Sequence, residues 1–291
     1  MADILQRKDI ARLLGKRPKD ANKGDNGKGL LLAGSEGFYG AAVMAAAACL
    51  RAGIGTLKVL CPAGAKPAFC ALPEAMVYAV GPDWDHGDGA LAEARLAEAT
   101  CIALGPGMGR AAGVRSWVRA ALSTGKPVVV DADGLNALAP LPQAEKAALL
   151  HENVIFTPHP GEMSRLTGLP IPEIKGKMEQ TARIYAAQWG CTVLLKGART
   201  AIAGPDGRFA WNETGNPGLA KGGSGDVLTG ILLALLGQKL PPFDAACAGS
   251  YLLGASADEA LGLLRERALM ARDVIEAVER TLSMLAPKGK D

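Results

Sequence analysis

A carboxylate stands directly behind a run of small residues in Gly222-Gly223-Ser224-Gly225-Asp226. The apolar stretch Val227–Leu236 follows at once and has helical length. The run therefore reads as a loop that becomes a helix N-terminus. Unpaired backbone N–H groups and the positive helix end meet there, and both favour an anion. Glycine lets backbone and ligand approach closely. A carboxylate beside such an anion hole is repelled by bound phosphate, so its presence points to chemistry. The chemistry is general-base catalysis: Asp226 faces a substrate hydroxyl while Gly222, Gly223, Ser224 and Gly225 hold the phosphate in transfer. The plainer alternative is an Asp that complements the helix dipole above a tight turn. The density of glycine exceeds what an ordinary cap needs. The run does not end in Gly-Lys-Ser/Thr, so it is not a P-loop, and it does not follow a strand as a dinucleotide fingerprint does.

Four other turns carry reactive or ligand-facing residues. Gly105-Pro-Gly-Met-Gly109 either lays backbone flat against a ligand or forms a plain turn. Asp131 and Asp133, at a strand end, are expected to point to opposite sides. One can face the site and orient Mg²⁺ waters, and the other can cap a helix beginning near Leu135. His159 sits between two prolines in Thr157-Pro-His-Pro-Gly-Glu162; that fixed backbone suits a hydrogen bond to a substrate amide or hydroxyl. Glu162 either caps the next helix or reaches the metal and phosphate region. Asp131 and Glu162 are thus the candidate Mg²⁺ ligands. Lys196-Gly-Ala-Arg-Thr200 offers cations and open backbone to nucleotide phosphates or ribose, or is a surface turn before a hairpin.

These turns need elements to hold them. Short apolar runs predict strands at Leu30–Ala33, Thr56–Cys61, Met76–Val80, Cys101–Leu104, Pro127–Val130, Val154–Phe156 and Thr192–Leu195. Thr200–Ala203 and Arg208–Trp211 flank Gly204-Pro-Asp-Gly207 as a hairpin. Helices are expected over Ala2–Leu14, Ala41–Ala52, Gly87–Ala97 (helped by Asp88), Ala112–Leu122, Ile174–Gln188, Val227–Leu236, Ala245–Leu264 and Ala271–Leu285. Strands alternating with helices predict a mostly parallel sheet covered on both faces. In such sheets ligands bind beyond the carboxyl ends of the strands, which is where the reactive turns fall. The division expected is an N-terminal helix and loop over 1–23, one domain over 24–285, and a tail over 286–291.

Bulk properties exclude several classes. The chain has 291 residues, 32 basic against 29 acidic, and a net charge of +3, which is no footprint for nucleic acid. Six scattered cysteines without a CxxC pair, and only three histidines, argue for buried thiols in a reducing compartment and against a His/Cys metal site. Neither a signal pattern nor an uninterrupted spanning run is present. A cytoplasmic protein without membrane contact is expected.

Taken together, the motifs resemble the ADP/ATP-dependent NAD(P)H-hydrate dehydratase family of the ribokinase-like superfamily. The resemblance rests on Lys28–Ser35, Tyr39–Ala42, Gly105-Pro-Gly107, Thr157–Glu162, Leu195-Lys-Gly197 and Gly215–Gly230, and it extends from about Gly24 to Val274. It implies a three-layer α/β/α sandwich. It implies that ADP or ATP drives dehydration of the S epimer of hydrated NADH or NADPH, a hydro-lyase reaction of cofactor repair with Mg²⁺. It places Ala41, Gly107, His159 and Asp226 on the hydrate. Lys196, Gly197, Ala198, Arg199, Thr200 and Gly225 fall on the nucleotide. It further implies a homotetramer, and an epimerase supplied by another chain, because the residues before the match are too few to hold one.

Two other readings compete. A vitamin-precursor kinase of the same superfamily shares the Gly-Asp loop, but the Thr-Pro-His-Pro-Gly-Glu turn is not expected there. A nucleotide sensor without turnover would have no need of Asp226.

Overall fold

The structure is a computed structural model that describes residues 3–262 and 265–286. Ten strands form one sheet: β1 (Asp3–Ile4), β2 (Lys28–Leu32), β3 (Thr56–Cys61), β4 (Ala75–Ala79), β5 (Cys101–Leu104), β6 (Val128–Val130), β7 (Val154–Phe156), β8 (Thr192–Leu195), β9 (Thr200–Ala203) and β10 (Phe209–Asn212). Their order is β1-β10-β9-β8-β7-β6-β5-β2-β3-β4, and β9 alone runs against its neighbours.

The strands read as continuous apolar runs because both faces are covered. Successive side chains still alternate between two cores. Leu31, Ala103, Val129, Ile155 and Leu194 enter one core with the helices Tyr39–Arg51, Ser224–Gly237, Pro242–Leu261 and Ala271–Leu285. Their neighbours Leu30, Leu32, Ile102, Leu104, Val128 and Val130 enter the other, with the helices Gly89–Glu98, Val114–Leu122, Ala132–Leu138, Pro160–Thr167 and Met178–Trp189. This is the three-layer α/β/α sandwich expected from the sequence.

The helix that carries Asp226 lies closely against Tyr39–Arg51. A β-carbon on Gly230 would overlap the Ala45 carbonyl, so only glycine permits that approach. The small residues of both helices bring backbones together and fix the Asp226 helix against the sheet. All parallel strands then end on one rim, and the turns after β5, β6, β7 and β8 meet there. Lys196 N–H donates to the Pro158 carbonyl (2.8 Å), joining two of those turns.

Several element boundaries differ from expectation. The first helix is Arg7–Leu14, because Asp3–Ile4 pairs with β10 and Ile10 is fully buried. The sheet thus reaches into the stretch read as an N-terminal helix and loop. The helix expected over 174–188 is two, Ile171–Gly176 and Met178–Trp189, broken at Lys177, whose ψ of 42° leaves the helical range. The helix expected near Leu135 runs over Ala132–Leu138, the one expected after Glu162 runs over Pro160–Thr167, and only the helix Gln143–Leu149 was not anticipated. Ala2, Leu263, Leu264 and residues 287–291, parts of the predicted first helix, the Ala245–Leu264 helix and the tail, lie outside the described residues.

Candidate active site

Asp226 sits in the first turn of the Ser224–Gly237 helix. Gly223 is the N-cap, with φ 101° and no side-chain cap. That left-handed conformation favours glycine. A β-carbon there would also meet Met44 Sδ at 2.6 Å and the Ala271 methyl at 2.9 Å. The N–H groups of this first turn have no carbonyl within the helix to receive them.

A buried ion-pair network lies under the loop. Lys196 Nζ donates to Asp131 Oδ1 (2.8 Å) and stands 3.8 Å from Glu162 Oε2. Thr229 Oγ1 donates to Asp131 Oδ2 (2.8 Å). Asp131 is 1 % exposed and Glu162 6 %, so both carboxylates depend on these partners. Gly225 is close above them: a β-carbon there would lie 3.5 Å from Lys196 Nζ and 3.6 Å from Asp131 Oδ2.

Asp226 itself receives no hydrogen bond from the described residues. Burial, then the charge of Asp131, push its carboxyl up to about 7; Lys196 opposes this, while Asp133 and Glu162 add to it. A carboxyl that titrates near neutrality is suited to accept a proton during catalysis. Burial works to lower the Lys196 pKa, but Asp131, Glu162 and Asp226 outweigh it, and the ammonium is held above its usual range. Lys196 is therefore held as a cation close to Gly225.

Asp131 terminates β6 and precedes Ala132, a non-glycine residue at φ 47°. That strained conformation turns the chain so that Asp131 faces Lys196 while Asp133 faces the other way. Asp133 Oδ2 accepts the Gly109 N–H (2.8 Å). It is not the cap of a helix near Leu135, because the helix already begins at Ala132. The two aspartates point apart because the left-handed turn at Ala132 and the helix that follows interrupt the strand, in which residues two apart would share a face. One serves the ion network and the other anchors the Gly105–Gly109 loop.

His159 is the N-cap of the Pro160–Thr167 helix. Its Nδ1 accepts from Gly161 N–H (2.9 Å) and Glu162 N–H (3.3 Å), and Glu162 Oε2 accepts the His159 N–H in return (2.8 Å). This reciprocal arrangement is a capping box with an imidazole in place of a hydroxyl. Of the two roles open to Glu162, capping is the one seen. The acceptor Nδ1 leaves the proton on Nε2, which faces Glu162 Oε1 at 3.4 Å. Burial, together with Lys196 and Arg165, lowers the His159 pKa against the pull of Glu162 and Asp131. The neutral form of the ring is thereby favoured.

A cavity of about 920 Å³ opens over this network. Asp131, His159, Glu162, Lys196, Gly197, Ala198, Thr200, Ser224, Gly225 and Asp226 line it. Ala41, Gly107, Arg199, Gly222 and Gly223 do not. Ala41 and Gly107 do meet: a β-carbon on Gly107 would lie 3.0 Å from the Ala41 methyl and 2.6 Å from the Phe38 carbonyl. They sit on the wall beyond the glycine loop, where Met44 of the same helix touches Gly223. Arg199 instead pairs with Glu213 (2.6 Å) and stacks on Trp211 (4.5 Å).

Sequence reasoning gave no role to two parts of the site. Thr229 orients Asp131, and its signal was a lone hydroxyl one turn after Asp226 in an apolar helix. The segment Thr214–Lys221 closes the far side of the cavity. Asp258 holds it by accepting from Gly215 N–H and Asn216 Nδ2, both at 2.9 Å.

Among the described residues no three His, Cys, Asp or Glu side chains group as a metal site, and none of the helices is long and apolar enough to cross a membrane.

Comparison with known proteins places this geometry. The family profile described as NAD(P)H-hydrate dehydratase matches residues 29–280. An ADP-dependent (S)-NAD(P)H-hydrate dehydratase of Neisseria meningitidis serogroup B is 39 % identical, the match covering 83 % of this chain and 80 % of that protein. A bifunctional NAD(P)H-hydrate repair enzyme of Moorella thermoacetica is 41 % identical over 94 % of this chain, which spans only about half (52 %) of that longer protein. The structure of the Bacillus subtilis ADP/ATP-dependent NAD(P)H-hydrate dehydratase, co-crystallised with ATP and Mg²⁺, superposes with a TM-score of 0.86 at 34 % identity, covering 98 % of this chain and 99 % of that one. The fold is the ribokinase-like one, and the chain belongs to the NAD(P)H-hydrate dehydratase family.

Proposed function

We propose that this chain dehydrates the S epimer of NADH or NADPH hydrate back to the reduced cofactor, at the expense of ADP or ATP. The observation that carries the proposal is Asp226: a carboxyl pushed up to about 7, at the open N-terminus of a buried helix, with the Lys196 ammonium beside it. Asp226 takes the proton from the C6 hydroxyl of the hydrate. The oxygen attacks the terminal phosphorus, and the bond from that phosphorus to the bridging oxygen breaks, releasing AMP from ADP or ADP from ATP. N–H groups of the Gly222–Gly225 loop, with Lys196, stabilise the charge on the moving phosphoryl group. In the ester so formed the neighbouring ring nitrogen pushes its electrons toward C6, and the C6–O bond breaks to release phosphate. Loss of a C5 proton to the departing phosphate restores the ring double bond.

His159 and the Ala41–Gly107 wall hold the hydrate in this reading, while Lys196–Thr200 and Gly225 hold the nucleotide. Mg²⁺, when bound, neutralises phosphate charge. Asp131 and Glu162 already accept from Lys196, Thr229 and the His159 backbone. They therefore suit an ion that arrives with the nucleotide and keeps its waters, rather than one resident in the protein. We further propose, from the sequence resemblance alone, that the protein works as a homotetramer in the cytoplasm.

Product analysis tests the reaction. The proposal requires one nucleotide cleaved and one inorganic phosphate released per reduced nicotinamide restored. A stable phosphorylated small molecule that accumulates with nucleotide consumption would instead identify a kinase.

A further inference from the structure

The reaction just proposed requires two polyanions at once, a nucleoside di- or triphosphate and a phosphorylated dinucleotide. The large cavity is poorly suited to both. Its charged walls are Asp131, Glu162 and Asp226 against Lys196 and Lys221, so its carboxylates outnumber its lysines. A second set of phosphates needs its own counter-charge elsewhere.

A second cavity, of about 510 Å³, supplies it. Arg110, Arg115 and Arg165 surround it, with Asp133 as its one acid. Arg165 Nε donates to Asn136 Oδ1 (2.8 Å), and Arg115 Nε donates to the Ala137 carbonyl (3.2 Å). In both cases the anchor is the inner nitrogen. The terminal nitrogens, which form the fork that matches phosphate, have no partner among the described residues. Arg110 likewise forms neither hydrogen bond nor ion pair there. Asp133 offsets one of the three charges at most, and its oxygens are already engaged, accepting from Gly109 N–H (2.8 Å) and Asn136 Nδ2 (3.3 Å). Three anchored or open guanidinium groups therefore line one pocket against a single carboxylate.

The two cavities are neighbours. Asp131 and Ala132 line the first, and Asp133 lines the second. The helix that follows His159 also separates them: a β-carbon on Gly161 would lie 2.8 Å from the His159 ring and 4.0 Å from an Arg165 terminal nitrogen. The Gly105–Gly109 loop, tied down by Asp133, runs from the Ala41–Gly107 wall to the second cavity. A ligand whose ring lies against His159 and Asp226 has a short path along this wall to the arginines. The volume falls within the range of small-ligand sites.

We infer that the second cavity receives the adenylate half of the hydrated dinucleotide, with Arg110, Arg115 and Arg165 binding its phosphate groups. The inference rests on the dehydratase reading, in that the ring end of the same molecule occupies the Asp226 site. It divides the substrates physically: ADP or ATP belongs to the large cavity, and the dinucleotide's phosphates belong to the small one.

The test is the double variant Arg110→Ala/Arg115→Ala, both exposed positions, with circular dichroism to confirm folding. Each lost charge-assisted contact should raise the KM for the hydrate about tenfold, while the KM for ADP stays within about twofold of wild type. A rise for NADPH hydrate alone assigns the arginines to the 2′-phosphate. An equal rise for NADH hydrate assigns them to the pyrophosphate. Either supports the inference. Unchanged KM values for both hydrates, or a rise confined to ADP, overturn it. Titration of NADPH itself into wild type and variant separates this result from the functional reading, because it needs no turnover. If wild type binds NADPH and the variant does not, the site stands even where dehydration fails. Equal affinity removes the site even where dehydration succeeds.

Discussion

Replacing Asp226 with Asn should make the protein inactive and, at neutral to alkaline pH, more stable. The argument starts from the carboxyl's displacement from an ordinary 3.8 to about 7 by burial and by Asp131. In the unfolded chain Asp ionises near 3.9. The folded state therefore binds the proton more tightly, and the stability this gives is fully present below about pH 4. It is lost as pH rises toward 7, because ionisation then favours the unfolded chain. A gap of about three between the two values corresponds to roughly 4 kcal/mol, and partial solvent access trims this to roughly 2–4 kcal/mol. Asn keeps the shape and removes the charge. The stability gained by Asp226→Asn over wild type should thus be small at about pH 5 and larger by roughly 2 kcal/mol at about pH 8. Urea denaturation of both proteins at the two pH values measures the difference. A variant less stable than wild type at the higher pH, or a difference independent of pH, would refute the claim that Asp226 is held in an unfavourable charged state.

Three further outcomes follow from the same network. Lys196→Met leaves Asp131 paired only with Thr229 and should cost about 3–5 kcal/mol of stability; because Lys196 holds the Asp226 carboxyl down, the pH–rate profile should also move to higher pH. Gly223→Ala forces a left-handed residue against Met44 and Ala271 and should cost about 1–2 kcal/mol, with nucleotide affinity falling as the anion hole shifts; calorimetric titration with ADP reads both site and fold. His159→Ala removes an N-cap, worth about 0.5–2 kcal/mol by thermal melt, and should weaken hydrate binding more than ADP binding; the reverse order of losses would reassign the ring to the nucleotide side.

Much of this was legible in the sequence, for physical reasons. Buried parallel strands are short apolar runs, so β3, β5, β7 and β8 are found at their observed bounds. The reactive turns follow those runs because a parallel sheet gathers its carboxyl ends on one rim. What was not legible depends on long-range contact. Thr229 and Asp131 are 98 residues apart, and local pattern does not join them. Asp3–Ile4 is too short to show a period and exists only because β10 offers an edge. The Pro160–Thr167 helix did carry a signal, with Pro at its first position and Glu162 at its third. Its bounds were obscured because His, rather than Ser or Asp, occupies the cap. The break at Lys177 sits beside Gly176 and was hidden by apolar residues on both sides.

The central claim is that Asp226 activates the C6 hydroxyl of a hydrated nicotinamide toward a nucleotide phosphate. The most direct measurement incubates the S epimer of NADH hydrate with the protein, Mg²⁺ and ADP or ATP, and follows the return of reduced-nicotinamide absorbance, for wild type and for Asp226→Asn. The account predicts recovery that requires nucleotide, and a rate about 10²–10⁴-fold lower in the variant. Recovery at half the wild-type rate by Asp226→Asn, or recovery without nucleotide, would contradict it.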